Sequence, residues 1–400
     1  MAVAFAVASF FAILMDRKRS LNEKIEIYSS GMGNSTIMTM CLIFILAGSF
    51  AAISKGMGAV DSAVAIARNF IPEQLMLPGI FLVACFISLA IGTSCGTIAT
   101  LTAIAIGLGE GMGCSPALTL GAVIGGAMFG DNMSMISDTT IAATRTQGVL
   151  PHDKFFENLK VATPAVLITL LLYIILGHKG GQITDVPPIT WKDYLLVTPY
   201  VLILVLSLCK WNVMALLFCG SILAGVIGIL TGKQNMWEVL KQGGDGSINM
   251  AETLIVALLA GGLLSLLRCN GGILFVMNKV ENHIKSTRGC ELGISLLTAV
   301  VNLFTANNTV ALVVTGPIAN ELSQKYSCKP SRIASIIDIT SCIVQGLIPY
   351  GAQILIAIGI AKQFELNVSC IDLILHMYYQ LFLAVCLILF ILFWKEKKQQ

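Results

Sequence analysis

Asp131 and Asp138 stand in the run Gly130-Asp-Asn-Met-Ser-Met-Ile-Ser-Asp138, with Thr139 and Thr140 following and apolar sequence on both sides. An ionised carboxylate is costly to hold in an apolar phase, so acidic residues retained there mark function. Asn132, Ser134, Ser137, Thr139 and Thr140 surround the pair with amide and hydroxyl oxygens. That set suits a hard cation such as Na+, and an interrupted helix adds free backbone carbonyls. Burial also disfavours the charged form of a carboxyl group. One aspartate can therefore hold either a proton or a cation, and that competition is the simplest basis for exchanging the two. The alternative role is local: Asp138 or Ser137 caps the helix that begins near Thr139.

Other polar residues interrupt other apolar runs. Asp338, with Thr340 and Ser341 beside it, is a third acidic residue in apolar surroundings. It either completes an ion site or hydrogen-bonds to a neighbouring helix. Thr93, Ser94 and Thr97 lie at one interruption and Asn307, Asn308 and Thr309 at another, offering hydroxyls and amides. Their structural role would be turn formation and helix capping. Gln345, Tyr350 and Gln353 flank a further break that has no carboxylate, which suits a neutral or solute-facing half of the site. Arg145 lies two helical turns past Asp138 and either pairs with it or extends to the membrane interface.

The elements that must carry these residues are helices in a bilayer. The 400 residues are 56% hydrophobic and only 12% charged, against roughly 45–50% and 25% for soluble chains. Apolar blocks recur at lengths near the ~17–25 residues of a membrane span. Residues 2–15 form a shorter block, as in a chain that starts part-way into a helix, and the charges around Asp16 follow it, unlike a secretory signal. The twelve cysteines are scattered without a C-x-x-C pair and read as small apolar residues, with neither a disulfide framework nor a zinc site. The net charge of +3 gives no indication of a nucleic-acid partner.

Several apolar blocks are too short to cross alone and meet in pairs at polar points. Irregular backbone at membrane depth persists only where protein or a wet cavity satisfies it. The pattern predicts re-entrant hairpins over 75–108 and 290–320, and broken helices over 115–148 and 332–362. Cys114-Ser-Pro116 opens the first broken helix and Cys328-Lys-Pro330 the second. Paired interrupted segments at matching positions point to a transport site between repeats. The expected fold is therefore an all-α polytopic membrane protein of two inverted repeats. An N-terminal repeat covers 1–160, linking transmembrane helices cover 161–251, and a C-terminal repeat with the last span covers 252–400. With the C-terminal tail placed in the cytoplasm, 18 Lys and Arg fall in cytoplasmic segments and 7 in external ones, as the positive-inside rule requires. The stretch 55–74 reads as an interfacial amphipathic helix.

Some patterns are set aside on context. Gly92-Thr-Ser-Cys-Gly96 matches a nucleophile elbow, but that motif needs a strand before it. Gly107-Leu-Gly-Glu-Gly-Met-Gly113 lacks the βαβ unit of a phosphate loop. Neither H-E-x-x-H nor a Walker A sequence occurs, which removes a metalloprotease and an ATP-driven pump. An ion channel remains as another class and would need a continuous wet pore.

Three segments carry a family resemblance: Gly92-Thr-Ser-Cys-Gly-Thr97, Gly121 through Asp131 to Ile136-Ser-Asp-Thr-Thr140, and Asn307-Asn-Thr309. They resemble the NhaC-type sodium/proton antiporters of the Ion Transporter superfamily. The most specific is the G-D-x-x-S-x-I-S-D-T-T pattern, met by Gly130, Asp131, Ser134, Ile136, Ser137, Asp138, Thr139 and Thr140. The resemblance runs from about residue 16 onward, and members of the family usually carry additional N-terminal membrane sequence. It implies a secondary transporter, not an enzyme, that works by elevator or rocking motion. It further implies a multi-pass protein of the cell membrane, often dimeric, that uses Na+ and H+ as transported or coupling ions and needs no cofactor. Since some NhaC-like proteins are similar to exchangers of organic acids or amino acids, a cation-coupled organic-anion or amino-acid transporter is the alternative. On either reading Asp131 and Asp138 are the expected Na+ ligands.

Overall fold

The computed structural model describes residues 2–16, 19–111, 113–135, 137–177, 189–209, 211–272, 275, 284 and 286–394. Ile136, residues 178–188, most of 273–285 and the tail expected in the cytoplasm at 395–400 lie outside the described residues. Among the described residues the secondary structure is helical, with no strand.

In chain order the helices are α1 (Ala2–Met15), α2 (Leu21–Met32), α3 (Ser35–Gly56), α4 (Ala59–Phe70), α5 (Glu73–Ile91), α6 (Ser94–Gly111) and α7 (Pro116–Met133). There follow α8 (Asp138–Gln147), α9 (Pro151–Gly177), α10 (Trp191–Leu208), α11 (Val213–Leu230), α12 (Met236–Ile248) and α13 (Ala251–Cys269). The last are α14 (Thr287–Thr305), α15 (Asn308–Lys325), α16 (Pro330–Leu347), α17 (Ala352–Gln363), α18 (Cys370–Leu375) and α19 (Tyr378–Phe393). Six stretches among the described residues are long and apolar enough to span a membrane, including Ile37–Gly56, Gln74–Ile91 and Pro151–Gly177.

The four polar interruptions seen in the sequence all fall between helices, and local chemistry explains each. In α7, Ser115 caps the start by accepting from the Leu118 N–H, and Pro116 takes the first helical position, where its missing N–H is not needed. The helix stops at Met133 because Ser134 turns to extended backbone. Ser137 then caps α8, and Gly148 ends it with φ of 66°. The second break has the same form: Pro330 starts α16, Ile348 is extended, and α17 begins after Gly351. The corners α5–α6 and α14–α15 also match. Each turns through one left-handed residue, Gly92 at φ 76° and Ala306 at φ 48°. The next helix starts two residues later.

α7, α16 and α17 are buried along nearly their whole lengths. α5 lies so close to α7 that a Cβ at Gly130 would run into Ser88, the Leu89 nitrogen and the Cys85 carbonyl. The Ser88 hydroxyl donates to the Ala127 carbonyl at 2.5 Å across this contact. Among the contacts that join the halves of the chain, α6 packs on α17, and α8 packs on α15. Helices α2, α3 and α11 to α13 pack mainly on one another, α10 packs on α11 and α4, and α3 also meets α6 and α17. The stretch read as an amphipathic interfacial helix contains α4, with Val60, Ser62 and Ala63 buried and Asp61 exposed.

Candidate functional site: a cavity between the helix corners

A cavity of about 340 Å³ lies where the corners and breaks meet. Thr93 and Ser94 line it from the first corner, and Asn307, Asn308 and Thr309 from the second. Asp131, Asp138 and Thr139 line it from the first break, with Gln345 and Gln353 from the second. Ten of the residues singled out in the sequence therefore share one wall. The first residues of α6, α8, α15 and α17 all line the cavity, so four helix N-termini open on it. Their partial positive charge offsets that of the two carboxylates. Ser35, Thr39, Met40 and Ile43 of α3 complete the lining. Sequence reading had treated that helix as a plain span, although Ser35 and Thr39 lie one turn apart on one face.

Asp131 is 5% exposed and sits in the last turn of α7. Its Oδ2 accepts from the Ser94 hydroxyl at 2.9 Å. Ser94 Oγ in turn accepts from Gln353 Nε2 at 3.1 Å, and Gln353 Oε1 accepts from Gln345 Nε2 at 2.9 Å. Gln345 also donates to the Ala306 carbonyl at 3.0 Å. A chain of hydrogen bonds thus runs from the second corner to the carboxylate on the first broken helix. Among the described residues no Lys, Arg or His lies in ion-pair range of Asp131.

Asp138 differs from Asp131 in burial: it is exposed in the first turn of α8 while still lining the cavity. The physical reason is capping: Ser137, fully buried, holds the Thr140 N–H, and a carboxylate one residue on is favoured by the helix N-terminus without being desolvated. Arg145 is exposed, and no ion pair joins it to Asp138.

Asp338 does not reach the cavity wall. It is fully buried and forms an ion pair with Lys154 Nζ at 2.5 Å. Its Oδ2 also accepts from Asn132 Nδ2 at 2.8 Å and Asn158 Nδ2 at 3.1 Å. It bonds from α16 to α7, as the second of its two expected roles requires. Lys154 is not among the residues singled out in the sequence; it is 1% exposed and donates to the Asn132 carbonyl and Thr140 Oγ1, both at 2.7 Å. Lys154 and Asn158 belong to the buried stripe of α9 that continues through Val161, Ala162, Ala165 and Thr169. Helical spacing from those small residues was the signal that would have found them.

The remaining candidates support the wall from behind. Asn132 faces Asp338, and Ser134 Oγ donates to the Leu89 carbonyl at 3.0 Å. Thr140 Oγ1 bonds the Ser134 carbonyl at 2.6 Å, bracing the break. Thr97 bonds back to the Thr93 carbonyl within its own helix. Tyr350 lies outside the cavity and donates to the Leu303 carbonyl at 2.6 Å.

The chain is similar to several characterised transporters. It is 27% identical over 379 residues to the Na(+)/H(+) antiporter NhaC of Bacillus subtilis, an alignment that covers 86% of this chain and 80% of that protein. It is 23% identical over 381 residues to the malate-2H(+)/Na(+)-lactate antiporter of the same organism, covering 87% and 81%. The arginine/ornithine antiporter ArcD of Halobacterium salinarum matches at 24% over 358 residues, covering 80% and 73%. The model of the Na+/H+ antiporter family matches residues 1–178 and 193–394. With membrane-length helices and a polar cavity enclosed among them, the chain is a multi-pass membrane protein and belongs to the Na+/H+ antiporter family.

Proposed function

We propose that the protein exchanges Na+ for H+ by alternating access and that Asp131 is the group holding either one. The observation that carries this reading is a charge balance. Two carboxylates are buried at the first break, Asp131 and Asp338, and the one cation buried with them, Lys154, pairs with Asp338. Asp131 is left lining the cavity with a hydroxyl for a partner. A buried carboxylate without a counter-charge is costly, and either a proton or Na+ relieves that cost. Both cannot bind at once, so ion and proton are carried in alternate states. Asp138 draws the cation in, while Ser94 and Thr93 supply further oxygens. The corners α5–α6 and α14–α15 are the tips of re-entrant hairpins in two inverted repeats, divided as the sequence pattern suggests. Their movement against the α3 wall would open the cavity to each side in turn. In this reading the protein lies in the cell membrane with its C-terminus in the cytoplasm, and it is dimeric as is common in the superfamily.

A second reading is favoured by the cavity's size and by its other half. A volume of about 340 Å³ far exceeds one Na+. Asn308, 8% exposed, has an Nδ2 without a partner, and the first turn of α17 has no side-chain cap. Free N–H donors at a helix start suit a carboxylate, as of a small organic acid or amino acid moved with the cation. The family relatives named for lactate, malate and arginine exchange lend this weight. Purified protein in proteoliposomes separates the two. Ion exchange predicts that external Na+ alone collapses a preset pH gradient, and that Asp131→Asn reduces the rate to that of protein-free vesicles. A collapse that needs an added monocarboxylate or amino acid supports the second reading. Wild-type rates in Asp131→Asn would contradict both.

A further inference from the structure

The cluster behind the cavity has the chemistry of a cation site. The Asn132 carbonyl lies in the last turn of α7, where carbonyls have no partner within the helix and the helix dipole favours positive charge. Asp338 adds a fully buried carboxylate and Thr140 a hydroxyl. Carbonyls at a half-helix end, joined by carboxylate and hydroxyl oxygens, are how broken helices hold coupling ions. Here Lys154 Nζ fills the position, with Asp338 Oδ2 at 2.5 Å and the Asn132 carbonyl and Thr140 Oγ1 at 2.7 Å each. Three N–H bonds meet three oxygens. One acceptor is still spare, since Asp338 Oδ1 is buried without a partner, while Asn158 Nδ2 donates to the Asn132 carbonyl and Asp338 Oδ2. A salt bridge kept only for packing would not need a broken helix end and a spare carboxylate oxygen beside it.

We infer that Asp338, the Asn132 carbonyl and Thr140, braced by the Asn158 amide, form a second monovalent-cation site, which the chain keeps filled with the ammonium of its own Lys154. The lysine is a tethered substitute for a bound ion. It holds the first broken helix to α16. This inference does not rest on exchange at Asp131, because it concerns a separate group of residues.

The test compares full-length variants in detergent, all carrying Asp131→Asn so that the cavity carboxylate does not contribute. Melting temperature is followed as Na+ replaces N-methylglucamine at constant ionic strength. Lys154→Ala vacates the position, and saturating Na+ is expected to raise its melting temperature by on the order of 5 °C, saturably. The Asp131→Asn parent should show no such rise. Asp338→Asn, which removes the counter-charge and keeps the lysine, should be destabilised and not recovered by Na+. Lys154→Gln/Asp338→Asn removes the charges together and should fold without responding to Na+. Equal Na+ responses in Lys154→Ala and the parent would overturn the inference. So would a Lys154→Ala protein that no Na+ concentration recovers while the double variant folds.

Discussion

At the scale of single residues, the account turns on which buried charges are compensated. Asp338 and Lys154 neutralise one another with side chains at most 1% exposed, a pair whose disruption from one side costs about 3–5 kcal/mol. Asp131 has the Ser94 hydroxyl in place of a cation. A hydrogen bond to a charged group contributes about 1.5–3 kcal/mol, so Ser94→Ala should raise the Na+ concentration for half-maximal exchange roughly tenfold or more. The maximal rate should change less, and a pH-gradient assay over a Na+ titration measures both. The importance of Asp131 was legible in the sequence because a carboxylate inside an apolar run is conspicuous. Lys154 was not, because Pro151-His-Asp-Lys154 reads as the wet end of a helix. Nothing in its local sequence separates a lysine reaching solvent from one turned into the bundle; only the Lys154–Asn158–Ala162 spacing does.

At the scale of elements, the site is made by interruptions. Helix boundaries at Met133, Asp138, Leu347 and Ala352 fall beside serine, proline and glycine residues that the sequence displays. For that reason the breaks were legible to within a few residues. The corners show the same need answered in two ways. Gly92 adopts φ 76° without strain, whereas Ala306 holds φ 48° with a Cβ. A left-handed conformation costs an L-residue about 1–2 kcal/mol. Ala306→Gly should therefore raise the melting temperature by a few degrees, and Gly92→Ala should lower it by a similar amount. Thermal unfolding of the two variants in one detergent checks both signs. Not legible was which side of each helix the corners would meet. The pairing of α6 with α17 and of α8 with α15 is long-range, and no spacing within either segment encodes it.

At the scale of the whole molecule, an apolar chain encloses a polar cavity by bringing four helix starts and two carboxylates to one place. The membrane class was plain from composition, since 12% charge leaves too few polar groups to cover a soluble surface. The contribution of α3 to the cavity wall was hidden, because Ser35 and Thr39 at a helix start look like ordinary capping residues. If Asp131 holds either a proton or Na+, as proposed, the two exclude each other there, and a stoichiometric exchange should be measurable without a membrane. Purified protein in weakly buffered detergent, titrated with Na+ under a pH electrode, is the direct measurement. The account predicts saturable proton release in the wild type over the pH range where Asp131 is protonated. Release should be retained in Asp138→Asn and absent in Asp131→Asn. Na+ binding without proton release in the wild type, or undiminished release from Asp131→Asn, would contradict it.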